Sequence, residues 1–118
     1  MGSKRTERLA SQMVRELSDI FRREISDPRL TWVTVTRAWV SPDLREAKVY
    51  LTTLETGEKR DQVLAAAQHA HGYIRHELGR RLELRVTPDV QFFMDEELEK
   101  AERIFRILNE IKREGDDK

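Results

Sequence analysis

Cysteine is absent from the 118 residues, which excludes a disulfide framework, a thiolate metal site and a cysteine nucleophile. Absent too is any run near 18 apolar residues, so no segment reads as a membrane-spanning helix. The charge has no overall sign, because 22 Lys and Arg balance 22 Asp and Glu, and no global basic bias points to a polyanionic partner. The common catalytic signatures are missing as well: there is no H-E-x-x-H, Walker A loop, G-x-S-x-G or dinucleotide-binding glycine pattern. Asp95, Glu96 and Glu97 could be read as paired carboxylates, but the chemistry of a helix start explains all three. His69, His71 and His76 lie close in sequence. On a helix, positions 69 and 76 share a face but stand about 10 Å apart at a rise of 1.5 Å per residue, too far for one ion, and 71 points elsewhere. The expectation is a protein with no metal, no cofactor and no enzymatic activity.

What is present fits one compact α+β domain. The balanced charge hides a segregation: residues 1–94 hold 16 basic against 13 acidic residues, and residues 95–118 hold 6 against 9. Any nucleic-acid surface must therefore be a local patch. The N-terminal residues Lys4-Arg5-Thr6-Glu7-Arg8 lead into an amphipathic segment rather than an apolar one, so a cytoplasmic location is expected.

The patterning gives the elements in order. From about Lys4 to Ile25, Leu9, Met13, Leu17, Ile20 and Phe21 share one side of a 3.6-residue period and Arg8, Gln12, Arg15, Asp19 and Arg22 the other, an amphipathic helix with a basic outer stripe. Pro28 ends it. Thr31 to Val40 is rich in β-branched and aromatic residues, and Glu46 to Thr53 alternates Ala47, Val49 and Leu51 with Lys48, Tyr50 and Thr52, which predicts two strands. Ser41-Pro42-Asp43-Leu44 between them reads as a hairpin turn. Glu58 to Leu82 is helical in period, with Val63, Leu64, Ala67, Ile74, Leu78 and Leu82 as its apolar side. A third strand lies within Leu84 to Met94, starting late or lying at an edge because of Pro88. Asp95 is placed to cap a last helix whose face is Leu98, Ala101, Phe105, Leu108 and Ile111. The expected division is a domain over 4–94, a C-terminal helix over 95–113 packed on or extending it, and a flexible tail over 114–118.

Gly72 interrupts the long helical stretch within Ala70-His71-Gly72. A glycine there costs about 1 kcal/mol relative to alanine, which implies a kink or a close approach of something to the backbone. A helix start exposed at such a break presents free N–H groups and a positive dipole end, which suit a phosphate. Two arginine groups accompany it: Arg5, Arg8, Arg15 and Arg22 on the first helix, and Arg75, Arg80, Arg81 and Arg85 around and after the break. Each group alone reads as a solvated face balanced by Glu7, Glu16, Glu77 and Glu83; together with the break they suggest RNA. Trp32, Trp39, Tyr50 and Phe93 could stack on bases, although core packing competes for aromatics on strands.

With these residues in order the chain resembles the ribosome-binding factor A family of bacterial ribosome-assembly proteins. The resemblance covers about residues 4–111 and is carried by Asp27-Pro28-Arg29-Leu30, Val33-Thr34-Val35-Thr36, Val40-Ser41-Pro42-Asp43-Leu44 and Ala47-Lys48-Val49-Tyr50. It continues through Ala70-His71-Gly72-Tyr73-Ile74-Arg75, Leu82-Glu83-Leu84-Arg85 with Pro88, and Phe92-Phe93-Met94-Asp95. It implies a single KH-like domain of type II order, α-β-β-α-α-β, with an Ala-x-Gly interhelical kink and a C-terminal helix. It also implies a cold-linked role in 30S subunit assembly, through the immature subunit, its 16S rRNA and ribosomal proteins. The expected RNA-binding residues are Arg8, Arg15, Arg22, Ala70, His71, Gly72, Arg75, Arg80, Arg81 and Arg85, in a protein that is monomeric off the ribosome. The rival reading is a protein-interaction module that docks through its amphipathic helices without touching RNA.

Overall fold

Helix α1 spans Lys4–Arg23 in the computed structural model, which describes residues 4–116. Leu9, Met13, Leu17, Ile20 and Phe21 recur at three- and four-residue spacing, and all five are buried. Full burial of such a side chain contributes about 1.5–3 kcal/mol relative to exposure, more than helix propensity supplies. After the helix, the Asp27 carboxylate accepts the Arg29 N–H at 2.9 Å and caps a single 3-10 turn over Pro28–Leu30. Pro28 stands in the first position of that turn, where its missing N–H costs nothing.

Strands β1 (Thr34–Val40), β2 (Glu46–Thr52) and β3 (Asp89–Met94) form one sheet in that order. β1 and β2 are antiparallel and β2 and β3 parallel. The hairpin falls where the Ser-Pro-Asp-Leu sequence predicts it. Ser41 Oγ donates to Asp43 Oδ1 at 2.7 Å and accepts the Glu46 N–H at 3.0 Å, so the turn is tied by side chains as well as by backbone. Leu44 adopts a positive φ of 62° there, a conformation that costs a branched residue about 1–2 kcal/mol. Its side chain packs against the core, which offsets that cost. β3 begins directly after buried Pro88 and is an edge strand, as the proline suggests.

The strands alternate as their period requires. Val35, Val40, Ala47, Val49, Leu51, Val90, Phe92 and Met94 are buried on one face, and Arg37, Trp39, Lys48, Tyr50, Gln91 and Phe93 lie on the other. A bulge between Val35 and Arg37 shifts the register once. Helices α2 (Gly57–His69) and α3 (His71–Arg81) connect β2 to its parallel neighbour β3, and α3 lies against α1. Their buried Val63, Ala66, Ala67, Ile74 and Leu78 join the same core. The order α1-β1-β2-α2-α3-β3-α4 is the predicted α+β arrangement, and it is consistent with a KH-like fold.

α3 ends in a tight cap. The N–H groups of Glu83 and Leu84 donate to the carbonyls of Arg80 and Gly79 at 3.3 and 3.0 Å, and Glu83 takes the left-handed position, φ 52°, that glycine commonly fills in this motif. Helix α4 (Glu96–Asp116) starts at Asp95, whose Oδ1 accepts the Leu98 N–H at 3.1 Å. Asp95 is buried. Burial pushes its carboxyl up, but hydrogen bonds from Thr36, the Leu98 N–H and Arg37 outweigh this and hold it below the usual value. Arg60 adds a two-point pair to Glu99 at 3.0 and 3.1 Å.

Past that first turn α4 stands clear of the domain and gives the molecule extents of 63 × 34 × 20 Å. Beyond partly buried Leu98 its expected face is uncovered: Phe105, Leu108 and Ile111 are 59–67% exposed, and Ile104 beside them 48%. The helix also runs through Gly115 to Asp116, beyond the expected start of a flexible tail, of which residues 117 and 118 lie outside the described residues. Among the described residues no helix is long and apolar enough to cross a membrane.

Candidate nucleic-acid interface

The break between the two central helices falls at Ala70, two residues before Gly72, which sits in the first turn of α3. Ala70 caps that turn without a side-chain hydrogen bond, so no capping side chain occupies the first-turn N–H groups. Gly72 has an ordinary φ, and a Cβ built on it would meet no atom within 4 Å. Neither the kink nor a contact within the described fold requires this glycine. Gly79 is the opposite case, since a Cβ there would fall on Thr87 Oγ1. Of the two glycines in α3, packing thus explains Gly79 and leaves Gly72 unexplained.

Thr87 sets the floor beneath the break. Its carbonyl accepts from the Arg75 guanidinium at 3.0 Å, so the segment leading into β3 is held against α3 at Arg75 and again at Gly79. His71, Gly72, Arg75, His76 and Thr87 surround one open hollow. Gln68, His71, Gln91 and Phe93 line the next, along the β3 edge. His71 belongs to both, and its Nε2 lies 3.3 Å from Asp89 Oδ1. The structure therefore brings His71, Gly72 and Arg75 together in one groove, with Ala70 as the joint above it. Among the described residues no three His, Asp or Glu side chains gather in a way that could hold a metal ion.

The arginines divide by what they already hold. Arg8, Arg15 and Arg22 are exposed on α1, with Arg22 loosely paired to Asp19 at 3.5 Å. Arg85 is exposed beyond α3, and Arg80 pairs with Glu77 one turn away. Arg81 departs from the expectation of a phosphate contact. Its side chain is only 16% exposed and reaches Glu16 at 3.0 Å, Asp19 at 2.8 Å, Glu24 at 2.5 Å and Glu77 at 3.4 Å. The Asp19 and Glu24 hydrogen bonds raise the guanidinium well above its ordinary value, and Asp19 is held low in turn, chiefly by the Arg81 hydrogen bond. A cation among four carboxylates has no charge to spare for RNA, so Arg81 ties α3 to α1 instead. The Tyr73 hydroxyl, donating to Glu24 at 2.7 Å, closes the same seam from the other end. Helices α1 and α3 thus meet along an acidic seam that Arg81 shares with Arg22 and Arg23 at Asp19 and with Arg80 at Glu77.

Three of the four aromatics considered for stacking lie on the sheet face away from the helices: Trp39, Tyr50 and Phe93. Trp32 is exposed in the turn before β1. Sequence reasoning misses Gln68, Thr87 and Gln91 in the groove. Only the period of two along β3, which puts 91 and 93 on one side, carries a signal for any of them.

Known proteins share this architecture. The family model described as ribosome-binding factor A matches residues 5–108. Among solved structures, ribosome-binding factor A from Thermus thermophilus is similar at 26% identity and a TM-score of 0.68, over 75% of this chain and 94% of that one. A Thermotoga maritima protein, a candidate ribosome binding factor A, is similar at 30% identity and 0.68, over 79% and 89%. A homology model of the Thermus thermophilus factor, fitted into a cryo-EM map of its 30S complex, aligns at 27% identity and 0.64, over 75% and 92%.

Proposed function

Because the chain belongs to the ribosome-binding factor A family, we propose that it is a non-catalytic assembly factor that binds the immature 30S subunit through 16S rRNA and assists late rRNA maturation, with a role in cold adaptation. It acts in the cytoplasm and is monomeric off the ribosome. The observation that carries the RNA contact is Gly72: a glycine in a helix's first turn, with open space over it, beside Arg75 and His71 and above a groove. That arrangement lets a phosphate backbone reach the first-turn N–H groups, which any larger side chain would obstruct.

Affinity comes from phosphate contacts at Arg8, Arg15, Arg22, Arg75, Arg80 and Arg85, and specificity from the shape of the rRNA. The protein favours one rRNA arrangement only by as much as it binds that arrangement more tightly than the next, and it leaves when the mature arrangement competes. With about five arginines engaged, the log–log salt slope is on the order of −3 to −5. Co-sedimentation with mature and immature small subunits across a salt series tests this. Salt-sensitive binding that prefers immature particles supports it, and binding to neither particle refutes it.

One observation favours the rival reading, a protein-docking module. The apolar side of α4 is uncovered, and such a side is suited to a partner's groove. Reversing Arg75 and Arg80 together to glutamate separates the two, since it abolishes subunit binding if RNA is the target and leaves binding unchanged if α4 alone docks.

A further inference from the structure

Only one face of the sheet is covered by helices; on the other, Trp39 and Phe93 remain 42% and 38% exposed. On that outer face the strand register sets two rows of rings and cations, with Glu46 and Asp89 paired beyond them at one end. Arg37, Tyr50 and Phe93 are neighbours across the three strands. Arg37 lies 4.0 Å above the Tyr50 ring, and Tyr50 stacks on Phe93 at 5.7 Å with the ring planes 29° apart. Two residues along the strands, Trp39, Lys48 and Gln91 form the second row, with the Lys48 ammonium 5.3 Å from the centre of the Trp39 ring. The strand rise separates the rows by about 7 Å.

We infer that this face is a stacking platform for single-stranded RNA, with bases on Phe93 and Trp39 and a phosphate at Lys48, while Arg37, already bonded to Asp95 and Glu97, covers the Tyr50 ring. Aromatic rings exposed beside cations are the chemistry that single strands use, because every base has a π-face and every linker a charge. An apolar helix docked here would instead bury the Lys48 ammonium without a partner. Phe93 also joins the platform to the groove. It lines the hollow beside His71 and Gln91 and also the outer hollow with Arg37 and Tyr50. A strand held at Gly72 thus passes over the β3 edge onto the second face, a turn that a stiff duplex cannot make. The platform rests on the RNA-binding reading above but on a different surface.

The test uses the Trp32→Phe chain, in which Trp39 is the one tryptophan left, titrated with a short oligouridine or with duplex RNA. The oligouridine quenches Trp39 emission and the duplex does not. Phe93→Leu in that background weakens oligouridine binding by roughly five- to a hundredfold with an unchanged circular dichroism spectrum. Unchanged emission in a protein that still sediments with small subunits overturns the platform and leaves the assembly reading intact. Quenching in a protein that sediments with neither subunit keeps the platform and removes the assembly reading. Emission that falls with protein concentration alone gives the face to a second copy of the chain and overturns the inference.

Discussion

Gly72→Ala is predicted to make the free protein more stable and the RNA-bound protein weaker. The backbone at Gly72 is one any residue adopts, and an added methyl meets nothing within 4 Å. Its effect on folding is therefore the loss of glycine's excess unfolded-state freedom, about 0.4–1 kcal/mol in favour of the folded state. For a chain of this size that raises the melting temperature by about 2–5 °C. On the bound side, the same methyl holds a phosphate away from the first-turn N–H groups. Losing one hydrogen bond to a charged group removes about 1.5–3 kcal/mol, a fall of roughly ten- to a hundredfold in affinity. Calorimetric melting of the free protein and subunit co-sedimentation measure the two sides separately. A lower melting temperature would mean that the fold itself needs the glycine. A higher one with unaltered binding would mean that nothing approaches there, and the interface as drawn would be wrong.

Arg81→Met is predicted to lower stability at neutral pH while sparing subunit binding in the fraction that stays folded. Asp19 and Glu77 are both held below their ordinary values of 3.8 and 4.5, Asp19 chiefly by Arg81 and Glu77 chiefly by Arg80 with Arg81 contributing. The stability they contribute is complete above those ordinary values and is lost as pH falls through the lower folded ones. The melting difference between wild type and Arg81→Met is therefore full at about pH 7 and closes below about pH 4; a difference that persists in acid would show that packing, not charge, is what Arg81 provides. Glu83→Gly removes a left-handed residue from the α3 cap and should stabilise by about 0.5–1 kcal/mol, net of glycine's wider unfolded freedom. A thermal melt that moves down instead would show that the Glu83 side chain holds a stabilising contact.

Period and punctuation are enough to place the order of helices and strands, because burial of one side is what makes these segments fold and that side is written into the spacing. Leu9 to Phe21 and Val90 to Met94 are the clear cases. Two positive-φ residues are not legible: Leu44 and Glu83 adopt a conformation their type disfavours, and only the surrounding hydrogen bonds impose it. In the candidate site, His71, Gly72 and Arg75 can be read together because one helix turn joins them. Arg81 is misread from sequence because its main partners, Glu16, Asp19 and Glu24, lie 57–65 residues away and meet it only once α1 packs on α3. The sequence also puts the break at Gly72 rather than Ala70, since composition marks a weak helical residue and not the joint beside it. The apolar side of α4 is legible as a side, but a pattern does not say whether the domain supplies its cover.

That projecting helix turns the molecule into a lever. Its 21 residues reach about 31 Å at 1.5 Å per residue, and the joint with the domain is made within one turn, at Asp95, Arg37 and Arg60. A swing of about 10° at that joint carries the far end through about 5 Å, the height of one helical turn. Wherever the groove at Gly72 is anchored, the position of Ile111 is then set by a few hydrogen bonds at the fulcrum. Small changes in what Asp95 holds are magnified into whether the tip meets its neighbour or misses it.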